Sequence, residues 1–458
     1  MRSNVLAGAA IVRRLARLDI ALSLSVLVLF LLVNLSRPAH AMNIQSVKSP
    51  GGIEAWLVEE HSVPLMALKF AFEGGNAQDP AGKEGLANFI TAMMDEGAGD
   101  LKSSEFQERM EEIAMRMSFE DTKDQLHGSF ETLTVNREKA VELLRLALTK
   151  PRFDADAVER IRGQLQAGLV YADRDPEKVA GKAFYATAFP GHPYGRPANG
   201  TQESIKAITR DDLESYRSRV FARSNLKVVA VGDIDAATLG KLLDTVFGGL
   251  AAEARLSPVP KVEPKAGEQK ILEMNVPQSV AVFGLAGLAR KDPDFMAAFV
   301  VNQILGGGGF ASRLMEEVRE KRGLAYSVYS YLQPLRHSSI LAGGVATKNQ
   351  EMGRSLDVIR AEIKRLGEAG PTREELEGAK KYLVGSYALR FDTNAKIASQ
   401  LLAIKLEDLG IDYVDKRNAE VDAVTMEDAK RVAKRLLDTS RIVGTIVGKP
   451  VMSTANGG

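Results

Sequence analysis

Two long stretches of the chain repeat one order of motifs, and this repeat restricts the possible folds more than any other feature. Residues 134–136 (Thr-Val-Asn) before a helical pattern resemble residues 347–349 (Thr-Lys-Asn) before another. Residues 207–209 (Ala-Ile-Thr) resemble residues 423–425 (Ala-Val-Thr), and a helix and a glycine-ended strand follow both. The offset between matching motifs stays near 213–218 residues. We infer two homologous α+β halves, which usually pack face to face around a cavity.

Periodicity assigns elements and boundaries within this plan. Apolar alternation predicts strands and apolar residues at helical spacing predict helices. The predicted strands of the first half include 53–58, 65–72 and 226–231, and its predicted helices include 137–149, 154–173 and 176–188. Residues 251–270 are rich in proline, alanine and charge, which is typical of a linker. We therefore expect an N-terminal domain at 42–250, a linker at 251–270, a C-terminal domain at 271–450 and a tail at 451–458.

The first 41 residues have the composition of an export signal. Four arginines precede an apolar stretch, Ile20–Val33, that is short for a bilayer span, and residues 39–41 (Ala-His-Ala) fit a cleavage site. We expect a signal peptide cleaved after Ala41, and an uncleaved membrane anchor is the alternative. The chain has no cysteine, so an exported form does not depend on disulfides, and the bacterial periplasm is the expected compartment.

Composition and missing motifs exclude several functions. A formal net charge of +1 provides no field that attracts nucleic acid, and no basic stripe is interleaved with aromatic residues. The lack of cysteine excludes thiol catalysis and cysteine-bound metals. The chain has five histidines, no two within one helical turn, so it lacks the paired histidines of a hydrolytic zinc helix. No Gly-x-Ser-x-Gly sequence indicates a serine hydrolase.

The stretch Leu305–Tyr331 holds the most unusual pattern of the second half. A short amphipathic helix that ends at Gly323 is preceded by four glycines, Gly306, Gly307, Gly308 and Gly309. Residues 325–331 then alternate as a strand, so we expect Arg319 and Tyr326 to point into one space. By themselves the two are better explained as a solvated helix-end charge and a packed strand residue. The expected buried face of the helix carries Leu314, Met315 and Val318, and the expected solvent face carries Arg313, Glu316, Glu317 and Arg319.

The glycine run formally matches a dinucleotide-binding fingerprint, but its context does not. Such a fingerprint follows a strand, whereas residues 294–305 are helical in pattern, and no Walker sequence is present. Two interpretations stay open. The run is a helix-to-helix turn that needs positive φ, or it is bare backbone against which an extended peptide can lie.

Four motifs together resemble the pitrilysin/insulinase family of zinc metallopeptidases, the inverzincins. They are GGNAQDPAGKEGLANFITAMMDEG at 74–97, GHPYGRPANGT at 191–201, NLKVVAVGDID at 225–235 and LGGGGFASRLMEEVREKRGLAYSVYS at 305–330. The resemblance covers residues 43–450 and looks most like the subunits related to mitochondrial processing peptidase. It implies an α+β fold of two homologous domains, each a mostly antiparallel sheet packed with helices, that together form half of a clamshell over peptide.

The zinc motif of active family members is missing from this chain. Those members carry H-x-x-E-H in the helix after Gly-Leu-Ala, and the matching positions here are Asn88, Thr91 and Ala92. The distal glutamate ligand of the family falls on Gln166. These side chains supply neither the imidazoles nor the carboxylate that zinc needs, and Thr91 cannot act as the general base. We therefore expect no metal in this chain and no peptidase activity from it alone.

Arg319 and Tyr326 match the Arg/Tyr pair that the family places opposite the zinc. The resemblance implies that they hold the substrate carbonyl and stabilise its developing negative charge, and that Gly306–Gly309 borders the peptide path. The expectation is a non-zinc subunit of an exported heteromeric metallopeptidase, with zinc in a homologous partner chain. The alternative is a catalytically silent peptide-binding or scaffold protein of the same fold, and a homodimer stays open when the partner is absent.

Overall fold

Each half of the chain builds one main sheet. The structure, a computed structural model, describes residues 42–453; the predicted signal (1–41) and the end of the predicted tail (454–458) lie outside the described residues. The first half contains β1 (Gln45–Lys48), β2 (Glu54–Glu59), β3 (Leu65–Glu73), β4 (Gly97–Ala98), β5 (Leu101–Lys102), β6 (Arg116–Asp121), β7 (Gln125–Leu133) and β8 (Leu226–Gly232). The second half contains β9 (Gln269–Glu273), β10 (Gln278–Ala286), β11 (Ser327–Pro334), β12 (Ser339–Lys348) and β13 (Val443–Gly448).

Five strands of the first sheet have the same order as the five strands of the second, and β1 adds a sixth strand at the edge of the first sheet. The first sheet runs β1-β2-β8-β3-β7-β6 and the second runs β9-β13-β10-β12-β11, while β4 and β5 form a separate hairpin. Most neighbouring strands are antiparallel, and the parallel pairs, β2 with β8 and β9 with β13, occupy equivalent places. The repeat in the sequence therefore corresponds to two copies of one fold, and the predicted α+β class with mostly antiparallel sheets is confirmed.

The helices follow the same repeat. Those of the first half are α1 (Leu86–Met93), α2 (Ser103–Glu112), α3 (Arg137–Thr149), α4 (Ala155–Ala172), α5 (Pro176–Ala188), α6 (Gln202–Ala207), α7 (Arg210–Val220) and α8 (Ala236–Phe247). Those of the second half are α9 (Phe295–Asn302), α10 (Met352–Ala369), α11 (Arg373–Gly385), α12 (Asn394–Leu406), α13 (Tyr413–Asp422) and α14 (Met426–Leu436). The predicted helices at 137–149, 154–173 and 176–188 coincide with α3, α4 and α5 to within a residue.

One packing detail recurs in both cores. Phe70 of β3 pairs across the sheet with Gly128 of β7, and a Cβ on that glycine would lie 2.1 Å from the phenylalanine ring. Phe283 of β10 pairs in the same way with Gly343 of β12, where a Cβ would lie 2.4 Å from the ring. In each half the ring covers a cross-strand glycine, so any larger residue at Gly128 or Gly343 would displace a core aromatic.

Each sheet is covered on its other face by a helix that belongs to the opposite half. Helix α5 packs on β10 and β13, and α12 packs on β3 and β8. Phe184 of α5 clusters with Ile340 and Val443 of the second sheet, whereas Phe283 and Ile446 of that sheet face the second-half core. The halves are therefore interlocked through an exchange of helices, and neither sheet completes its packing with residues of its own half alone.

The segment between the halves is held in place. Residues 252–268 contain no helix or strand, in the region where a linker at 251–270 is predicted, and β9 begins at Gln269. The backbone N–H groups of Arg255, Val262 and Lys265 donate to carbonyl oxygens of Arg219, His337 and Ala188 at 2.8, 2.9 and 2.8 Å. The segment thus contacts both halves. None of the helices within residues 42–453 has the length and apolar character needed to cross a membrane.

Candidate functional site

The four positions that match the family's zinc ligands and general base lie on α1 and α4, which pack against each other. Asn88 Nδ2 donates to Asp121 Oδ1 at 3.3 Å, and Thr91 Oγ1 donates to the Asn88 carbonyl oxygen at 2.8 Å. The side-chain amides of Gln166 and Gln202 each donate to the other residue's carbonyl oxygen, at 3.4 and 2.9 Å. The polar groups at these positions are thus used in hydrogen bonds within the fold, while Ala92 has none to offer.

The chemistry around these positions does not fit a zinc ion. Amide, hydroxyl and methyl groups replace the imidazole and carboxylate ligands that zinc prefers. Between residues 42 and 453, no cluster of three or more His, Asp or Glu side chains is arranged to hold a metal ion. Burial raises the pKa of Asp121, although hydrogen bonds from Asn76 and Asn88 lower it. The guanidinium of Arg162 lies 5.3 Å from the centroid of the Phe89 ring, so a cation is already beside α1.

The glycine run is packed more tightly than a free loop. Helix α9 continues into a π-turn, Gln303–Gly307, and a Cβ on Gly306 would lie 2.5 Å from the Ser330 backbone nitrogen. Of the four glycines only Gly309 has a positive φ, 56°. The interpretation as a turn that needs positive φ is therefore wrong for Gly306, Gly307 and Gly308, where close packing excludes a side chain. Gly306 is buried, and the part of the run that solvent reaches is Gly307–Gly309.

The helix that follows, residues 313–320, buries two charges that its periodicity predicts to face solvent. Arg313 is 6% exposed and pairs with Glu375 of α11 through two 2.6 Å hydrogen bonds. Glu317 is 8% exposed and accepts from Lys321 at 2.7 Å, a hydrogen bond that lowers the pKa of Glu317. The predicted solvent face is wrong for both residues. Glu317 lies in the π-wound segment Met315–Glu320, where the spacing of an α-helix does not describe the faces. Arg313 precedes that segment and is buried through its pair with Glu375.

Arg319 and Tyr326 lie side by side where this helix, called here the Arg319 helix, reverses toward β11. Gly323 adopts φ 61° and donates its N–H to the Arg319 carbonyl oxygen at 2.8 Å, as expected for a glycine C-cap. The Arg319 guanidinium carbon lies 5.3 Å from the centroid of the Tyr326 ring and 4.6 Å from that of Phe310. Arg319 Nη1 also donates to Glu320 Oε1 at 2.7 Å.

This pair faces outward. Tyr326 is 85% exposed and the Arg319 side chain is 28% exposed. A permanent cation beside a phenol O–H is suited to bind a carbonyl oxygen and to stabilise the negative charge that it acquires during acyl transfer. The predicted proximity of the two side chains is thus observed, and their geometry is compatible with such chemistry.

The sequence analysis missed the aromatic residues around this pair. Phe310 is 68% exposed and forms the other side of the cation–π contact with Arg319. Tyr329 and Tyr331 of β11 stack with ring centroids 6.1 Å apart. The strand predicted at 325–331 begins later, at Ser327, because residues 324–326 form the reversal that follows Gly323. The alternation of Tyr329 and Tyr331 in the sequence is the signal that could have predicted an exposed aromatic face on this strand.

Family profiles match most of the chain. Residues 57–202 match the profile described as insulinase (peptidase family M16), and residues 207–383 match the profile described as peptidase M16 inactive domain. The chain belongs to peptidase family M16. The resemblance to the insulinase family that the four sequence motifs indicate is therefore confirmed.

Two relatives and two solved structures are similar to this chain. The "non-peptidase homolog YmxG" of Helicobacter pylori is 30% identical over 336 residues, 73% of this chain and 78% of that protein. An uncharacterized zinc protease of Mycobacterium leprae is 26% identical over 411 residues, 88% of this chain and 91% of that protein. The crystal structure of a peptidase M16 inactive domain from Pseudomonas fluorescens has a TM-score of 0.84 and 29% identity, covering 90% of this chain and 99% of that one. A protease from Helicobacter pylori shares the fold, with a TM-score of 0.81, 19% identity and coverage of 89% and 100%.

The similarities and the residues agree on the catalytic state of this M16 chain. It is similar to a relative named a non-peptidase homologue and to a solved inactive domain. Its own side chains at the four motif positions cannot bind zinc or accept a proton from water. Together these observations indicate a family member that is not a peptidase by itself.

Proposed function

We propose that this M16 chain is the non-zinc subunit of an exported heteromeric zinc metallopeptidase that hydrolyses peptides. In this proposal a homologous partner chain carries the H-x-x-E-H motif and the zinc, and this chain supplies Arg319 and Tyr326 to the same active site. The observation that carries the proposal is the outward-facing Arg319–Tyr326 pair in a chain whose zinc motif is absent.

The exposure of Tyr326 supports a role outside the fold. Polar groups that stabilise a fold are usually buried and bonded, and exposed charges contribute little to stability. At 85%, Tyr326 is the most exposed tyrosine within residues 42–453. Such a side chain is available to a substrate that lies between this chain and a partner.

The contribution of this chain to catalysis would be the binding and polarisation of the scissile carbonyl. Zinc in the partner would supply an activated water. Tyr326 would donate its O–H to the carbonyl oxygen as negative charge develops, and Arg319 would add a permanent positive charge. Phe310 and Tyr326 flank the guanidinium and restrict its orientations. Gly307–Gly309 would leave room beside them for the peptide backbone.

The proposal is tested by reconstitution. This chain and a homologous chain with H-x-x-E-H from the same organism are purified separately, and each is assayed on an unstructured fluorogenic peptide alone and mixed. We expect hydrolysis by the mixture and none by this chain alone. Arg319→Ala combined with Tyr326→Phe is expected to lower kcat/KM of the mixture at least about 10²-fold, because loss of one oxyanion donor typically costs about 10²–10³ in rate.

Matched substitutions elsewhere separate this role from a general effect. Arg109→Ala on α2 and Tyr382→Phe on α11 make the same chemical changes at exposed positions, and both are expected to leave the mixed activity unchanged. Wild-type activity in the Arg319/Tyr326 double variant would refute the transition-state role.

One observation favours the alternative of a silent peptide-binding scaffold, namely the pairing of Arg319 with Glu320 at 2.7 Å, which partly neutralises the cation. Peptide binding without hydrolysis in any mixture would support that alternative.

A further inference from the structure

A cavity at the junction of the two halves has no part in the chemistry proposed above. It encloses about 530 Å³ between α4, α5, the β6–β7 turn and the loop at 196–200. Gln333 of β11 contributes to its wall from the second half, and Lys123 and Tyr185 contribute from the first. We call it the Lys123 pocket. Its size is adequate for a small ligand or for the end of a peptide.

Lys123 provides this pocket with a largely buried cation. Its ammonium donates to the Tyr194 carbonyl oxygen at 2.7 Å and lies 4.2 Å from the centroid of the Tyr185 ring. Across the part of the chain that the structure describes, Lys123 forms no salt bridge. Burial lowers the pKa of Lys123 to about 8, while the charges of Asp124 and Asp121 raise it. An anion that enters the pocket would replace the solvation that burial removes from this ammonium.

Two acidic residues of the pocket are already engaged. Asp173 pairs with Lys182 at 3.1 Å. Asp121 accepts hydrogen bonds from the side-chain amides of Asn76 at 2.8 Å and Asn88 at 3.3 Å. Asp173 is therefore neutralised by another cation, whereas Asp121 has neutral donors and its charge still acts on Lys123 from a distance.

The other charged residues leave the pocket with an excess of cations. Arg196 and Lys178 line it, and neither forms a salt bridge within residues 42–453. Arg196 Nη1 donates to the Asp79 carbonyl oxygen at 2.9 Å. This bond uses one of the five N–H donors of the guanidinium. Glu177 is the third acidic residue among the described lining residues. Lys123, Arg196 and Lys178 thus oppose two carboxylates without a salt-bridge partner, Asp121 and Glu177, and the remaining excess of one cation favours an anionic ligand.

Gln333 joins the pocket to the aromatic face of β11. Its Oε1 accepts a hydrogen bond from the Tyr185 O–H at 2.5 Å. Tyr329 and Tyr331 alternate with buried residues and share the strand face of Gln333. From Tyr326 to Gln333 an extended chain covers roughly 23 Å, or about seven residues. A peptide that lies on these rings with its reacting bond at Arg319 and Tyr326 would therefore bring its end to the pocket.

We propose that the Lys123 pocket binds a carboxylate of the peptide, with Lys123 as the principal cation. The carboxylate is that of the peptide's C-terminus or of an acidic side chain, which share one chemistry. The inference rests on the proposed peptide-directed function, because it requires a peptide along β11. It adds a site that selects substrates by a negative charge about seven residues from the reacting bond.

The test measures equilibrium binding to the purified full chain without any partner. An N-terminally fluorescein-labelled, unstructured decapeptide is prepared with a free C-terminal carboxylate, with a C-terminal amide, and with an amide after a glutamate. The wild-type chain is expected to bind the free acid about 10-fold more tightly than the plain amide at pH 7, as for one charge-assisted hydrogen bond. Lys123→Met is expected to reduce that ratio below about 2-fold, and Lys123→Arg to preserve it.

Control variants and outcomes make the test decisive. Lys241→Met, on the exposed side of α8, makes the same change away from the pocket and is expected to keep the wild-type ratio. Circular dichroism and thermal unfolding establish that each variant is folded. If Lys123→Met does not fold, the comparison of Lys123→Arg with the wild-type chain at pH 9 still tests the role of the charge. A glutamate amide that binds as tightly as the free acid shows that the pocket accepts a side-chain carboxylate as well as a C-terminal one, and a glutamate amide that binds as weakly as the plain amide restricts the pocket to the C-terminus. Equal binding of acid and amide to the wild-type chain, or no binding of any peptide, overturns the proposal.

Failure of this inference is distinguishable from failure of the proposed subunit role. Identical acid-to-amide ratios in wild-type and Lys123→Met, together with lost activity in the Arg319/Tyr326 double variant, would refute the pocket alone. A ratio that depends on Lys123, together with no hydrolysis in any mixture, would refute the subunit role and leave the pocket in place.

Discussion

The two halves place an equivalent pair of helices between equivalent strands, yet they use their polar side chains in opposite ways. In the first half, α1 and α2 are regular α-helices, and Asn88 and Thr91 are bonded within the fold. In the second half, the corresponding segments are π-wound at Gln303–Gly307 and Met315–Glu320, and Arg319 faces outward beside an exposed tyrosine. The polar groups at the motif positions of the first half are bonded within the fold, whereas the second half leaves Tyr326 exposed beside Arg319, whose charge is paired with Glu320.

The two halves share one fold but differ in how their helices are wound and bonded. A helix whose polar groups are bonded internally adds stability and has no group left for a ligand. A π-wound segment disturbs the regular spacing of a helix and is frequent at functional sites. Here it accompanies a tightly packed glycine run and an arginine stacked between two aromatic rings, and this is the part of the chain to which the proposed function assigns its substrate contacts.

The largest effect is expected from restoring the zinc ligands of the first half. The experiment asks whether the side chains at these positions are all that this half lacks for binding zinc. Asn88→His, Thr91→Glu, Ala92→His and Gln166→Glu together restore the family's ligand set. Positions 88 and 92 share one face of the regular helix α1, and α4 packs against it. We expect bound zinc to rise from near zero to about one ion per chain, measured by elemental analysis after dialysis.

Asn88→His alone is the control and is expected to bind no zinc after dialysis. In the fourfold variant, Asp121 would be placed to orient the histidine introduced at position 88, as carboxylates do beside zinc ligands. A fourfold variant that stays free of metal would show that the backbone of α1 and α4, and not only their side chains, has departed from a zinc site.

A smaller effect is expected on stability. It is measured by replacing one arginine of the Arg319 helix and one arginine of α2 and comparing the loss in free energy of unfolding. Arg313→Met leaves Glu375 without its buried partner, and we expect the free energy of unfolding to fall by about 3 kcal/mol, as for other broken buried pairs. Arg109→Met removes an exposed pair with Glu112 and should cost less than about 1 kcal/mol. Urea denaturation of both variants measures the difference. Equal losses would mean that the Arg313 pair does not anchor the Arg319 helix to α11.

The smallest effect is a pH dependence of the Lys123 pocket. Because the pKa of Lys123 is about 8, lysine loses its charge between pH 7 and pH 9, and the affinity for a peptide carboxylate is expected to fall about 10-fold over that range. Tyr185, with a pKa of about 12, stays protonated throughout. The other charged and titratable groups of the pocket and of the Lys123 contacts are Asp121, Asp124, Asp173, Glu177, Lys178, Lys182, Tyr194 and Arg196.

Titration of binding with the free-acid decapeptide measures this dependence. Lys123→Arg keeps its charge at pH 9 and is expected to bind the peptide equally at both pH values. The plain amide peptide should show no dependence in either protein. An affinity of the wild-type chain that is constant from pH 7 to pH 9 would remove Lys123 from the role of principal cation.

Local features were predicted well from the sequence. Apolar spacing located α3, α4 and α5, since each presents one continuous apolar face. The proximity of Arg319 and Tyr326 followed from Gly323, because a glycine C-cap reverses the chain within a few residues. Features that depend on distant partners were predicted poorly. Arg313 was assigned to solvent because Glu375, its partner, is 62 residues away in the sequence.

The repeat, the family, the loss of the zinc ligands and the presence of the Arg/Tyr pair can all be recognised from the sequence alone. These depend on which residues occur and on their spacing along the chain, which a linear sequence states directly. Only the tertiary structure decided that α5 and α12 are exchanged between the halves, that Gly306 is closed against Ser330, and that Lys123 meets Gln333 in one pocket. The physical reason is that burial, packing and local charge arise from contacts between residues far apart in the chain, and the fold alone determines which of them meet.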